Sequence, residues 1–262
     1  MKKKIIIPLF SLLILLILWL GVSLFIKKDS HHYTLVVIPH FMIYPQRVSD
    51  FYDFIKNKSF YKEDPDVIVL LSPNHFSPQQ KRIEWLNKEE NIKYKEYSIL
   101  WEPVFLENID YSWNVFYNLW EQKYVKDHGL WEHFRRISQY FPDVKVVPLA
   151  LPTHDMFVSK NLAEYTRNLK WNVLIIASVD FSHYKSEDIA LENDKISYET
   201  LANPWNFLSL KKLDVDCPSC LWTLYLLWEE KKLHQWMRDS SSSLVWYDLK
   251  EENTSRQFLY RE

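Results

Sequence analysis

Leu174-Ile175-Ile176-Ala177-Ser178-Val179-Asp180-Phe181-Ser182-His183-Tyr184 is the stretch that sets the fold class. Its apolar part is continuous rather than alternating, so it reads as a strand buried on both faces, as in a parallel sheet. The run stops abruptly in a polar cluster holding Asp180, Ser182 and His183. Open α/β sheets place their chemistry just past the carboxyl ends of such strands. Two further segments repeat the pattern: Leu35-Val36-Val37-Ile38-Pro39-His40 and Val67-Ile68-Val69-Leu70-Leu71-Ser72-Pro73-Asn74-His75. Three apolar strands that each deliver a histidine beyond their ends imply that the histidines converge.

Working outward, residues 34–39 and 66–72 are the first two expected strands. Val48, Phe51, Tyr52 and Ile55 recur at helical spacing between them, predicting a helix over 46–58 and a βαβ unit with the two strands paired in parallel. Residues 93–105 alternate enough for a strand excursion, and 109–125 read as a helix whose aromatic stripe (Trp113, Phe116, Trp120, Tyr124) is core. Further helices are expected at about 130–140, 157–170 and 186–202, with strands at 144–150 and 172–178. After Cys217-Pro218-Ser219-Cys220 the pattern predicts a long helix over about 219–237, then closing strands at 243–248 and 256–260. The expected architecture over residues 30–262 is a three-layer α/β domain, a largely parallel sheet with helices on both faces.

Residues 1–29 stand apart. Positions 5–26 carry no charge over 22 residues, enough for a bilayer span of about 20. No small-residue cleavage site follows, so an uncleaved anchor is expected. Lys2, Lys3 and Lys4 outweigh the charge after the run, which puts the N-terminus in the cytoplasm and residues 30–262 outside. Setting aside the five lysines flanking the run, 27 basic residues face 34 acidic ones, a net of −7 that argues against nucleic-acid binding. Two glycines in 262 residues exclude Gly-rich phosphate and dinucleotide cradles. Ser182 and His183 are adjacent and diverge on a strand, so they do not form a hydrolytic pair.

The candidate site is therefore His40, His75, His128, Asp180, His183 and Cys217. In sequence order the chain presents Pro39-His40, Ser72-Pro73-Asn74-His75, Asp127-His128, Ser178-Val179-Asp180-Phe181-Ser182-His183 and Cys217-Pro218. By these five motifs it resembles the Memo-like proteins, the AmmeMemoRadiSam system protein B family, across about residues 33–262. It departs from that pattern at Tyr44-Pro45-Gln46, Trp131, Pro218 and Arg256. Memo-like proteins are in turn similar to class III extradiol ring-cleaving dioxygenases. That resemblance implies His40, His75 and Cys217 as metal ligands and His183 as an acid/base residue. It implies that Asp180 orients His183 or a ligand, and that His128 lines the pocket.

The implied cofactor is a divalent metal, with iron first; a thiolate ligand would make zinc or copper competitive. The implied partner is a small organic substrate. A non-catalytic binding module on the same scaffold is the alternative. Cys-Pro-Ser-Cys leaves a third reading open, since this spacing suits a disulfide, a redox pair or a metal pair alike.

Overall fold

The computed structural model describes residues 33–41, 43–58, 65–75, 128–169, 171–203, 212–227, 232–245 and 253–261, and the backbone of 83–86 and 116–119. The apolar run 5–26, the expected excursion 93–105 and Asp127 lie outside the described residues. Among the described residues, no helix is long and apolar enough to cross a membrane.

The first strand, β1 (Tyr33–Ile38), leads into helix α1 (Pro45–Asn57) and then β2 (Val67–Pro73). Proline at the start of α1 fits where no N–H is needed, and Val48, Phe51, Tyr52 and Ile55 form its buried face. Two short strands follow, β3 (Ile83–Leu86) and β4 (Phe116–Leu119), then α2 (His128–Tyr140) and β5 (Lys145–Leu151). Helix α3 (Met156–Arg167) starts at Asp155, whose carboxylate accepts from the backbone N–H groups of Phe157 and Val158 at 3.0 and 3.2 Å. Strand β6 (Val173–Ser178) runs on into the three-residue β7 (Phe181–His183). The chain closes with α4 (Glu187–Ala202), α5 (Pro218–Leu226), β8 (Leu233–Ser240), α6 (Ser241–Val245) and β9 (Thr254–Arg261).

The sheet is mixed. Its centre is the parallel set β5-β2-β6-β1, but β3 joins β5 antiparallel on one flank and β9 joins β1 antiparallel on the other. β8 runs along one edge of β9, while β1 and β7 share the other. The expected largely parallel sheet is thus confined to the middle. The expected pairing of the first two strands does not occur, because β6 lies between them.

Both faces of the central strands are covered, which is why they read as unbroken apolar runs. Val36, Ile38, Ile68, Leu70, Leu174 and Ile176 pack with Phe51 and Ile55 of α1 and Leu130, Phe134 and Ile137 of α2. The alternate set, including Val37, Val69, Leu71, Ile175 and Ala177, packs with Val158 and Leu162 of α3 and Leu221 and Leu224 of α5. The β1–β2 crossover helix α1 packs on one face and the β5–β6 crossover helix α3 on the other, and the parallel strands β2, β6 and β1 end at one edge, where an α/β sheet places its crevice.

Three elements differ from the sequence reading. Within the expected helix 109–125, residues Phe116–Leu119 form β4, parallel to β3. The expected long helix after the cysteines stops at Leu226, and Leu233–Ser240 is a strand. Propensity favoured helix through the charged run 229–232, yet pairing with β9 decides 233–240. The expected strand from 243 is preceded by β8 and begins inside the short helix α6.

Candidate metal centre

The register of the central strands fixes the site. Ile38 lies level with Ser178 and Leu71 with Ala177. His40 and Asp180 are therefore each two residues beyond paired positions, and His75 leaves the neighbouring strand β2 at the same edge. The ladder extends past the strands through Val179 N–H to the Ile38 carbonyl at 3.2 Å and Asn74 N–H to the Leu151 carbonyl at 2.9 Å. These bonds hold the loops that carry the histidines.

His128 opens α2 and meets the other two. Ring centroids lie 5.0 Å apart for His40 and His75, 4.9 Å for His40 and His128, and 4.0 Å for His75 and His128. One ring nitrogen from each falls within 4.8 Å of the others, a spacing from which all three can reach one cation. Burial grades from His40, enclosed, through His75, half-buried, to His128, exposed. The cluster thus opens to solvent on its His128 side.

His40 is fixed by two groups at the end of β6. Its Nδ1 lies 3.0 Å from the Ser178 hydroxyl, and that hydroxyl donates to the Gly129 carbonyl at 2.6 Å. A hydroxyl has one proton, so Ser178 accepts from His40 and Nδ1 carries hydrogen. Nε2 is then the ring nitrogen turned toward the carboxylates. The absent Cβ at Gly129 lets the first turn of α2 come this close to β6. Asp180, 1% exposed, accepts from the backbone N–H groups of His40 and Phe41 at 3.1 and 3.2 Å through one oxygen. Its second oxygen lies 3.4 Å from His40 Nε2. Asp180 thus orients His40 and its loop.

Asp216 faces the same nitrogen. Its Oδ2 lies 3.1 Å from His40 Nε2 and 3.7 Å from His183 Nε2. The loop that carries it is stitched to β6: Asp216 N–H donates to the Asp180 carbonyl at 3.1 Å, and Asp216 Oδ1 accepts from Asp180 N–H at 3.2 Å. His40, Asp180 and Asp216 form a second group of donor atoms within 4.8 Å of one another, with His40 shared between the groups.

His183 sits between two residues of positive φ, Ser182 at 31° and Tyr184 at 55°. Non-glycine residues in that region cost about 1–3 kcal/mol each. Ser182 is held there by its N–H to the Asp214 carbonyl at 2.9 Å and its hydroxyl to the Asp214 carboxylate at 3.0 Å, and Tyr184 by its N–H to the Asn253 carbonyl at 2.8 Å. The strain aims the His183 ring at Asp216 while its Nδ1 meets Thr254 Oγ1 at 3.4 Å.

The electrostatics follow from this crowding. Burial opposes the charged form of His183, but the facing Asp216 and Asp180 outweigh it and raise its pKa. Burial raises the pKa of Asp180, and Asp216 adds to this against the pull of His40. Burial also works on Asp216, yet His40 and His183 overcome it and hold that carboxyl well below the ordinary range. Two carboxylates whose affinities for a proton are driven apart can play different parts.

Cys217 does not join the histidines. It is bonded to Cys220 in a disulfide, and both residues are fully buried at the start of α5. A disulfide sulfur carries no anionic thiolate, so the expected third metal ligand is withdrawn in this state. Sequence reasoning missed Asp216 as a residue of this cluster. Its position beside the cysteine in the loop before α5 was the available signal.

An open α/β sheet that collects imidazoles and carboxylates past adjacent parallel strands defines a class of protein with a metal-type donor cluster at its crevice. Within that class the chain belongs to the Memo-like protein family, whose model matches residues 22–207. It is 22% identical over 155 residues to a MEMO1 family protein of Nitrosopumilus maritimus, covering 55% of this chain and 52% of the relative. It is 27% identical over 148 residues to one of Thermotoga neapolitana, covering 52% and 50%. The chain therefore spans about half the length of the curated relatives it matches. The crystal structure of uncharacterized protein JW3007 from Escherichia coli K12 shares the fold, with a TM-score of 0.56 and 12% identity over 87% of this chain and 98% of that one.

Proposed function

We propose that this chain is a membrane-tethered, metal-dependent redox protein, dioxygenase-like in chemistry, acting on a small organic substrate. The observation that carries the reading is the meeting of His40, His75 and His128 at the carboxyl edge of β2 and β1, with one nitrogen of each within 4.8 Å. Three imidazoles beside carboxylates fit a divalent first-row metal, iron foremost, with zinc or copper as competitors. His40 Nε2 suits a ligand role because Ser178 holds the ring's hydrogen at Nδ1. When bound, the metal would supply a Lewis acid and a redox centre for dioxygen and substrate.

The chain's own residues then have distinct tasks. Asp180 keeps His40 oriented through the two backbone N–H bonds. His183 is the acid/base residue: its ring is 30% exposed on one side and paired to Asp216 on the other, so it can pass a proton between substrate and solvent. The His128 side is the substrate's entrance. The apolar run 5–26 tethers the domain, with residues 30–262 on the extracytoplasmic face.

The reading of the cysteine pair as a thiol–disulfide exchanger has less support, because both sulfurs are fully buried and exchange needs access. A non-catalytic binding module is separated by activity. Oxygen uptake by the iron-loaded full chain with catechol-type substrates is the expected result. Metal binding with no uptake for any such substrate would favour the binding module.

A further inference from the structure

We infer that helix α4 is the positioning element of His183, acting through Glu187 on one side of that residue and Asn193 on the other. The inference rests on the acid/base reading of His183 above and goes beyond it by naming the residues that hold the ring in place. Three observations carry it.

The first is that both positive-φ neighbours of His183 lead back to α4. On one side Tyr184 donates its N–H to the Asn253 carbonyl at 2.8 Å. Asn253 is fully buried; its Nδ2 donates to Glu187 Oε2 at 3.2 Å, and its Oδ1 accepts from Ser242 N–H at 2.8 Å and from the Ser241 hydroxyl at 3.1 Å. A side chain tied at both ends fixes the direction of its own carbonyl. On the other side Ser182 is held by Asp214, and the Asp214 carboxylate accepts from Asn193 Nδ2 at 2.6 Å. Glu187 opens α4 and Asn193 follows on the same helix. One rigid element thus braces the residue before His183 and the residue after it.

The second is the inward face of α4. A helix that docks for stability buries its apolar side. Helix α4 instead buries Asp194, Ser197 and Thr200 alongside Ala190 and Leu201, while Ile189, Leu191 and Ile196 are exposed. The third is the anchoring of the strand opposite β7. Arg238 bridges Glu187 and Asp194, and Asp194 accepts at 2.8 Å from the hydroxyl of Ser255, the partner of Phe181. Thr254, the partner of His183, donates its N–H to the Ser241 hydroxyl at 2.7 Å. Ion pairs taken largely out of water add little net stability. Residues of positive φ persist only where their surroundings over-determine them. The network therefore supplies geometry more than it supplies stability, and the geometry it sets is that of His183.

The test uses the full chain in detergent, metal-free and isotopically labelled at histidine, with the His183 ring signals assigned by their loss in His183→Gln. Glu187→Ala removes one brace and Asn193→Ala the other; alanine favours helix, so α4 is retained in both. In each variant the His183 ring signals are expected to move while those of buried His133 stay in place. Exchange of the Tyr184 amide in Glu187→Ala should rise by about tenfold, the loss of one hydrogen bond to a charged group. After loading with Fe(II) both variants should hold as much iron as wild type, and kcat for oxygen uptake should fall by about tenfold or more with KM within about twofold. His183 signals that coincide with wild type in both folded variants overturn the assignment. Displaced signals in the variants, with no oxygen uptake by the wild type, would leave the positioning in place and overturn the acid/base role it serves.

Discussion

Arg256→Met is expected to weaken the domain by about 2–4 kcal/mol. Arg256 is fully buried, and its guanidinium makes a fork on Asp239, Nε to Oδ1 at 2.6 Å and Nη2 to Oδ2 at 2.7 Å. Its third nitrogen donates to the Phe41 carbonyl at 2.9 Å, next to His40. Methionine keeps an unbranched apolar stem and removes all three bonds. Stripping one partner from a buried pair costs about 3–5 kcal/mol, because the other charge is left buried. Asp239 retains Arg47 at 2.7 Å, but that side chain is 37% exposed, so it offsets only about 1 kcal/mol. The net is a large share of a total stability of about 5–15 kcal/mol. Urea unfolding of the full chain in detergent measures it, with an unchanged slope as the control. The double variant Asp239→Leu/Arg256→Met removes the stranded carboxylate and should lie within about 1–2 kcal/mol of wild type, the remainder being the unpaired Phe41 carbonyl. A single variant that loses under about 0.5 kcal/mol, or a double variant worse than the single, would refute the argument from an uncompensated charge.

Other outcomes follow from the same geometry. His133 is fully buried; burial, with His40 and Arg136 adding, holds its pKa well below the ordinary value. The folded state therefore keeps it neutral while the unfolded chain protonates it near pH 6.5, so its contribution is present above about pH 6.5 and lost on acidification, by up to about 1.4 kcal/mol per unit. Unfolding free energies at pH 7 and pH 5.5 should differ less in His133→Gln than in wild type; an equal difference sinks the idea. Asp155→Ala removes the cap of α3 and should cost about 1 kcal/mol, read by thermal unfolding, with an unchanged midpoint as the contrary result. His183→Ala should keep the metal and lose oxygen uptake, and undiminished uptake would remove His183 from the chemistry.

The strands that build the crevice were legible because burial on both faces writes itself as a continuous apolar run. β1, β2, β5 and β6 each lie within about a residue of their expected spans. The helices that carry a one-sided apolar stripe, α1 and α2 among them, were placed similarly well. What local pattern could not carry was partnership. Nothing in Val36 or Val67 says that β6 separates their strands, since order in a sheet is settled by residues a hundred positions away. β8 reads as helix until β9 is present to pair with it. The site shows the same division: His40, His75, His128, Asp180 and His183 were marked by standing just past strands or at a helix start. The state of Cys217 depends on its own neighbour three residues on, and Asp216 gained significance only from the nitrogen it faces.

The central claim is that the imidazoles of His40 and His75 hold a metal with His128, and metal content tests it most directly. Full-length protein, purified in detergent under anaerobic conditions and incubated with Fe(II), should carry about one iron per chain by elemental analysis. His40→Ala and His75→Ala should each carry little while unfolding near the wild-type temperature. Full occupancy in both folded variants, or none in the wild type, would contradict it.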